Sequence, residues 1–188
     1  MLFRSPRFGP LLGLFSGGTN AAEALVVLED RLGPVQSNVH PDPSRRVGAF
    51  GPTGDAHVLL DLGDDELTAG RPHPMIDPAV VADRVTAAAD ADGGAGVVLL
   101  DVVLGHGAHP DPASGLAPVL SAARVAGAAI VAVLIGTAGD PQGLDRQAGA
   151  LVDAGAIVHR SNALGAGQAA ALATGAGAEP VGTRSSRP

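Results

Sequence analysis

The sequence predicts a single-domain α/β fold: a doubly wound parallel sheet covered by helices on both faces, in three layers α/β/α. Three observations predict it. Short apolar runs alternate with segments of helical periodicity along the chain. The runs in the middle of the chain, "GVVLLDVVLG" and "AAIVAVLIG", are almost continuously apolar, and glycine-rich or polar turns follow nearly every run. A strand with no polar side is buried on both faces, which is how parallel strands sit between two layers of helix. At 188 residues the chain is about one domain long, a size at which one core removes roughly two-thirds of the unfolded chain's surface from water.

The elements follow in order. Residues 1–10 form an N-terminal extension with two arginines ahead of an apolar patch. Pro10 and Gly13 interrupt that patch well short of a signal or membrane span, so a cytoplasmic location is expected. The domain, residues 11–174, opens with a strand from Leu11 to Phe15 and the turn "SGGTN". A helix follows with Ala22, Leu25, Val26 and Leu28 at helical spacing, closed by Gly33. Residues 34–56, rich in Pro, Gly and Asp, read as a crossover with one short strand near Val35. The strand, turn and helix unit then recurs. "HVLLDLG" leads through a polar loop to "DPAVVADRVTAAAD", and "GVVLLDVVLG" leads through "HGAH" to "DPASGLAPVLSAARVAG". "AAIVAVLIGTAG" precedes "DPQGLDRQAGALVDAG", and "AIVHR" precedes "SNALGAGQAAALATG", which makes five principal strands. Three helices open on Asp-Pro, at Asp77, Asp111 and Asp140. Asp is a favoured N-cap and Pro a favoured first helical residue, so helix initiation explains the dipeptide. The tail, residues 175–188, reads as disordered.

Composition removes several function classes. With four Phe and neither Trp nor Tyr, the core is aliphatic and base-stacking platforms are not expected. Twelve Arg against nineteen acids give a net charge of −7, which argues against binding nucleic acid or a membrane surface through charge. The absence of Lys excludes a Schiff base and the phosphate-loop lysine, and the absence of Cys excludes thiol nucleophiles and thiolate metal sites.

In a parallel doubly wound sheet every strand-to-helix turn lies at the carboxyl edge, where such folds bind ligands. That edge collects "SGGTN", "GDDELTAGRPHPMID", "GHGAHPD", "GTAGD" and "SNA". Glycine lets backbone N–H groups approach a ligand and helix N-termini favour negative charge, so these turns suit phosphate or carboxylate. Ser16, Thr19, Thr137, Ser161 and Asn162 add neutral hydrogen-bonding groups. Taken singly, each glycine is equally well an ordinary tight turn. His106, His109 and Asp111 with His73, Asp77, Asp64 and Asp65 could supply a mixed metal site, but the spacing has no ligand signature and no metal is expected. His106 could also carry a phosphoryl group. The role expected for His106 and His109 is hydrogen bonding within the loop or to a ligand. Arg71 and His73 lie between prolines in "GRPHPMID". Arg71 reads either as an anion-binding fork or as a structural partner of Asp64, Asp65 or Glu66.

The segments "GLFSGGTNAAEAL", "DLGDDELTAGRPHPMIDP", "VVLLDVVLGHGAHPDPA", "IGTAGDPQGLDRQAGALVDAGAIV" and "SNA" resemble the carboxyl-terminal half of FdrA family proteins, which are acyl-CoA synthetase-like. That family in turn is similar to the CoA-ligase domain of succinyl-CoA synthetase, so the resemblance implies a flavodoxin-like fold. It also implies that two glycine turns face a phosphate and acyl site at a subunit boundary: Ser16, Gly17, Gly18 and Thr19, and Gly105, His106, Gly107 and Ala108. At Ser16 the synthetase's beta subunit has an asparagine that touches substrate. "GHGAH" only mimics the alpha subunit's phosphohistidine motif, because chain order aligns this loop with the beta subunit's glycine turn.

The function so implied is that of an acid–thiol ligase or a subunit of an oxamate carbamoyltransferase-like complex. Its substrates would be CoA or an acyl or carbamoyl phosphate, with no tightly bound cofactor, and partner subunits would supply the missing CoA-binding or carbamoyltransferase parts. The alternatives are a non-catalytic assembly or anion-binding module and, more remotely, a metal-dependent hydrolase.

Overall fold

A computed structural model of the chain describes residues 9–48, 56–90 and 95–176. Six strands form one parallel sheet: β1 (Leu11–Phe15), β2 (Val35–Ser37), β3 (His57–Asp61), β4 (Val97–Val103), β5 (Ala129–Ile135) and β6 (Ala156–His159), in the order β2-β3-β1-β4-β5-β6. The helices are α1 (Gly18–Leu32), α2 (Asp65–Thr68), α3 (Ala79–Asp90), α4 (Pro112–Ala126), α5 (Leu144–Asp153) and α6 (Asn162–Thr174). The five expected strands are all present, and the short strand near Val35 is the sheet's edge strand, paired with β3. This is a flavodoxin-like, Rossmann-type arrangement. The expected N-terminal extension up to residue 8, and the tail from residue 177, lie outside the described residues.

The strand order sets the position of the site. β1 pairs with β3 on one side and β4 on the other, Leu14 standing opposite both Leu60 and Leu100. The connection leaving β1 runs toward β2 and that leaving β4 runs toward β5, in opposite directions. The two connections therefore part between the carboxyl ends of β1 and β4, the position in such a sheet at which ligands bind.

Two aliphatic cores fill the layers. One packs α3, α4 and α5 on the sheet through Val81, Val85, Leu116, Leu120 and Leu151. The other packs α1 and α6 through Ala21, Ala24, Leu25, Leu28, Ala166, Ala169, Ala170 and Ala173. The stripe expected on α1 is therefore rotated: Ala22 and Val26 are exposed, whereas Ala21, Ala24, Leu25 and Leu28 follow the i, i+3, i+4, i+7 spacing of one buried face.

Of the three Asp-Pro dipeptides, Asp77 starts its helix as expected, accepting from the Ala79 N–H at 3.0 Å. The other two differ. Asp111 stands at the N-cap of α4 but makes no side-chain cap bond there. Its carboxylate is occupied by Gln147, Ser114 and Arg146. Asp140 closes the preceding turn by accepting from the Thr137 N–H at 2.6 Å, and α5 begins only at Leu144. Gly143, at φ +72°, breaks the chain between them.

Candidate functional site at the carboxyl edge

Because all six strands are parallel, Gly17, Gly105, Gly136 and Ser161 follow the carboxyl ends of their strands and share one edge. The turn after β1 lies at its centre. Gly17 is the N-cap of α1 in extended conformation, and no side chain caps the helix. The N–H groups of Gly18, Thr19 and Asn20 in the first turn therefore have no intrahelical acceptor, and Gly18 and Thr19 are exposed. These donors carry the positive end of the helix dipole.

Two buried aspartates flank this turn, one from each neighbour of β1. Asp101 on β4 accepts from the Ser16 N–H at 2.7 Å and from Asn20 Nδ2 at 3.2 Å, so both its oxygens are spoken for. Asp61 on β3 is 5% exposed. Its Oδ1 accepts from the Gly63 N–H at 2.9 Å, while its Oδ2 faces Gly18, where an added Cβ would meet it at 3.2 Å. Asn38 fixes the strand end by bonding the Asp61 backbone N–H and C=O. Burial pushes both carboxyls above the usual carboxylate range. On the far side, Asn162 Nδ2 ties α6 to α1 through Asn20 O and Glu23 Oε2, each at 2.8 Å.

The turn after β4 is held from below. Gln142, 2% exposed, accepts from the Gly105 N–H and donates from Nε2 to the carbonyls of Gly105 and His109. Gly105 and Gly107 have φ of +133° and +88°, a region that disfavours any side chain. The Ala108 N–H bonds Gly105 O, the His109 N–H bonds Met75 O, and the Asp111 N–H bonds His109 Nδ1. Among the hydrogen bonds of the described residues, only the N–H groups of His106 and Gly107 in this turn have no acceptor. His106 is exposed, whereas His109 is half-buried and used in the loop itself. At the N-terminus of α4 one first-turn donor is already taken, the Ala113 N–H donating to Gln147 Oε1. Asp111 is held down to about 2 by donation from Gln147, then Ser114 and Arg146.

The loop after β3 brings His73 to the same place. Its Nδ1 accepts from the Met75 N–H, so in the neutral ring Nε2 carries the proton. A Cβ on Gly63 would lie 2.7 Å from His73 Nε2 and 2.5 Å from Ser16 O, so only glycine lets the β1 and β3 turns and this imidazole close together. Arg71 is exposed, and its guanidinium makes no ion pair among the described residues. The edge also uses its polar groups structurally: Ser161 caps α6 by accepting from the Leu164 N–H, and Arg160 donates to Leu134 O and Gly136 O. No three His, Asp or Glu side chains among the described residues converge as metal ligands.

The sequence matches the family model for CoA-ligase over residues 14–172, from the last residues of β1 through α6. The chain belongs to the CoA-ligase family. This CoA-ligase domain is 37% identical over 156 residues to the uncharacterized protein YahF of Escherichia coli K12, covering 80% of this chain and 30% of that protein. It thus spans under a third of the length of that curated relative. Among solved structures, PH0766 from Pyrococcus horikoshii OT3 superposes with a TM-score of 0.56 at 11% identity, over 92% of this chain and 37% of that one. At that identity the likeness is one of fold. No helix among the described residues of the CoA-ligase domain is long and apolar enough to cross a membrane.

Asp61, Asp101, Gln142 and Gln147 shape the edge, yet sequence reasoning passed over all four. A signal existed for the aspartates: each is a lone carboxylate inside an otherwise apolar run, "HVLLDLG" and "VVLLDVVLG", and Asp is almost never fully buried without a job. No comparable signal marked the glutamines, which both sit in the segment that reads as a helix, "DPQGLDRQAGALVDAG".

Proposed function

We propose that this CoA-ligase domain acts as a subunit, or part of one, in an FdrA-type acyl-CoA synthetase-like or oxamate carbamoyltransferase-like assembly, holding an acyl phosphate, a carbamoyl phosphate or CoA at its carboxyl edge. The observation that carries this reading is the uncapped N-terminus of α1 at the point where the connections of β1 and β4 part, beside a turn whose His106 and Gly107 N–H groups have no acceptor among the described residues. Ser16, Gly17, Gly18 and Thr19 form the first half of the cradle and Gly105, His106, Gly107 and Ala108 the second. His73, His109 and Arg71 border it. Fixed N–H donors stabilise negative charge on phosphate as a thiol or amine attacks the acyl carbon. The carbon–oxygen bond to phosphate breaks, the nucleophile loses its proton, and phosphate remains in the cradle. Partner subunits supply the remaining parts.

The test is a substitution at Gly17, whose φ of −172° any residue adopts and whose Cβ would meet nothing within 4 Å. Gly107→Val is a poorer probe, because its φ of +88° would strain any side chain. In Gly17→Asn the new side-chain oxygen caps α1 and occupies its free N–H groups without adding a charge beside Asp61. Calorimetry with acetyl phosphate, carbamoyl phosphate and CoA, partner subunits present, should show binding lost in Gly17→Asn, with folding stability raised by a few tenths of a kcal/mol. His106→Asn should bind nearly as the parent does. Acid-labile phosphate on His106, lost together with activity in His106→Asn, would make this histidine the carrier and overturn the backbone account.

A further inference from the structure

The first turn holds an acceptor as well as donors. Asp61 is 5% exposed and its Oδ2 has no hydrogen-bond partner among the described residues, yet it faces the first residue of α1 at the point where the free N–H groups begin. A bare anion placed against those donors would meet a carboxylate oxygen at close range. An anion bearing a proton would instead donate it to Asp61 while accepting from the helix.

We infer that Asp61 makes this turn selective for oxyanions that carry a proton, such as phosphate, over fully ionised ones such as sulfate. The inference rests on reading the edge as an oxyanion site and names which oxyanion it takes. Three further features support it. Asp64 and Asp101 add negative potential around Asp61, which penalises a second full charge on the ligand. His73, whose Nε2 lies beside Gly63, places a donor in the neighbourhood of Asp61. The second carboxylate oxygen, unpartnered among the described residues, can accept a hydrogen bond supplied by the ligand. Within the proposed reaction, the inorganic phosphate left in the cradle carries such a proton at neutral pH.

The experiment is an amide NMR titration of the full chain with sodium phosphate and with sodium sulfate at matched ionic strength and neutral pH. The shifts of Gly17, Gly18 and Thr19 give the two dissociation constants. Phosphate should bind at least about tenfold tighter, equivalent to ~1.4 kcal/mol. Asp61→Asn, which keeps an acceptor for the Gly63 N–H and offers a donor to the ligand, should bring the two anions within about twofold of each other. Equal binding in the parent, or a preference that survives in a folded Asp61→Asn, overturns the selectivity while leaving the oxyanion site standing. If neither anion moves these amides, both readings fall. Should Asp61→Asn not fold, the Asp61 carboxyl carbon shift in the parent decides: phosphate must move it and sulfate must not, and any other pattern overturns the inference.

Discussion

Replacing Gln142 by Leu keeps the side chain's volume and removes three hydrogen bonds: one accepted from the Gly105 N–H at 3.2 Å, and two donated, to Gly105 O at 2.8 Å and His109 O at 3.2 Å. Each such bond contributes about 0.5–1.5 kcal/mol net, and a polar group left buried without a partner costs about 1–3 kcal/mol. Gly105 is half-buried, so water can recover part of the loss on that side. The expected destabilisation is roughly 2–3 kcal/mol, which for a domain of this size lowers Tm by about 4–12 °C. Urea unfolding followed by circular dichroism measures it, with the slope expected to match that of the parent. Gln142→Glu adds a diagnostic sign. One carboxylate oxygen still accepts from Gly105, but the other faces two carbonyl oxygens until it is protonated. That variant should therefore lie closer to the parent at pH 4 than at pH 7. A loss in Gln142→Leu below about 1 kcal/mol, the contribution of a single bond, or no pH dependence in Gln142→Glu, would refute the view that this side chain holds the turn.

Asp101 has its pKa raised by burial. A carboxyl with a folded pKa above its unfolded value stabilises most below the unfolded value, 3.8, and loses that contribution as pH rises through the folded pKa. Asp101→Asn should consequently gain stability relative to the parent between pH 4 and pH 7, and thermal melts across that range that move the other way would show that Asp101 is not strained by ionisation. In Gly63→Ala the new Cβ would lie 2.5 Å from the Ser16 carbonyl, and backbone there cannot move freely. Such overpacking costs about 1–3 kcal/mol, and the amide signals of Ser16 and His73 should shift together; a neutral substitution would mean that the two turns are not packed as described.

The architecture was legible because two of its strands, β4 and β5, are apolar along almost their whole length and the turns between elements are rich in glycine. Those features are local, and parallel topology then places Gly17, Gly105, Gly136 and Ser161 on one edge without knowledge of strand order. What was not legible depends on register and on side-chain reach. Asp61 and Asp101 flank Ser16 only because β3 and β4 are the two neighbours of β1, and pairing is not written in either strand. Gln142 reaches Gly105 across 37 residues, and Asp140 accepts from the Thr137 N–H, so Asp140 and Pro141 stand in a turn instead of a helix. The rotation of the buried stripe on α1 has a similar origin. Ala21 and Ala24 are small enough to let α6 approach, so packing between helices outweighed the pull of Val26.

The clamp from Asn162 to Asn20 and Glu23 determines how a ligand would be met. It locks the first turn of α1 to α6 before anything binds, and its Oδ1 stays buried without a partner. The group that holds the turn thus gives up a hydrogen bond of its own. The entropy of aligning the first-turn N–H groups is spent during folding, so an arriving anion orders little protein. Association at this turn should be governed by diffusion and desolvation rather than by loop closure, and the turn should look the same with or without its guest.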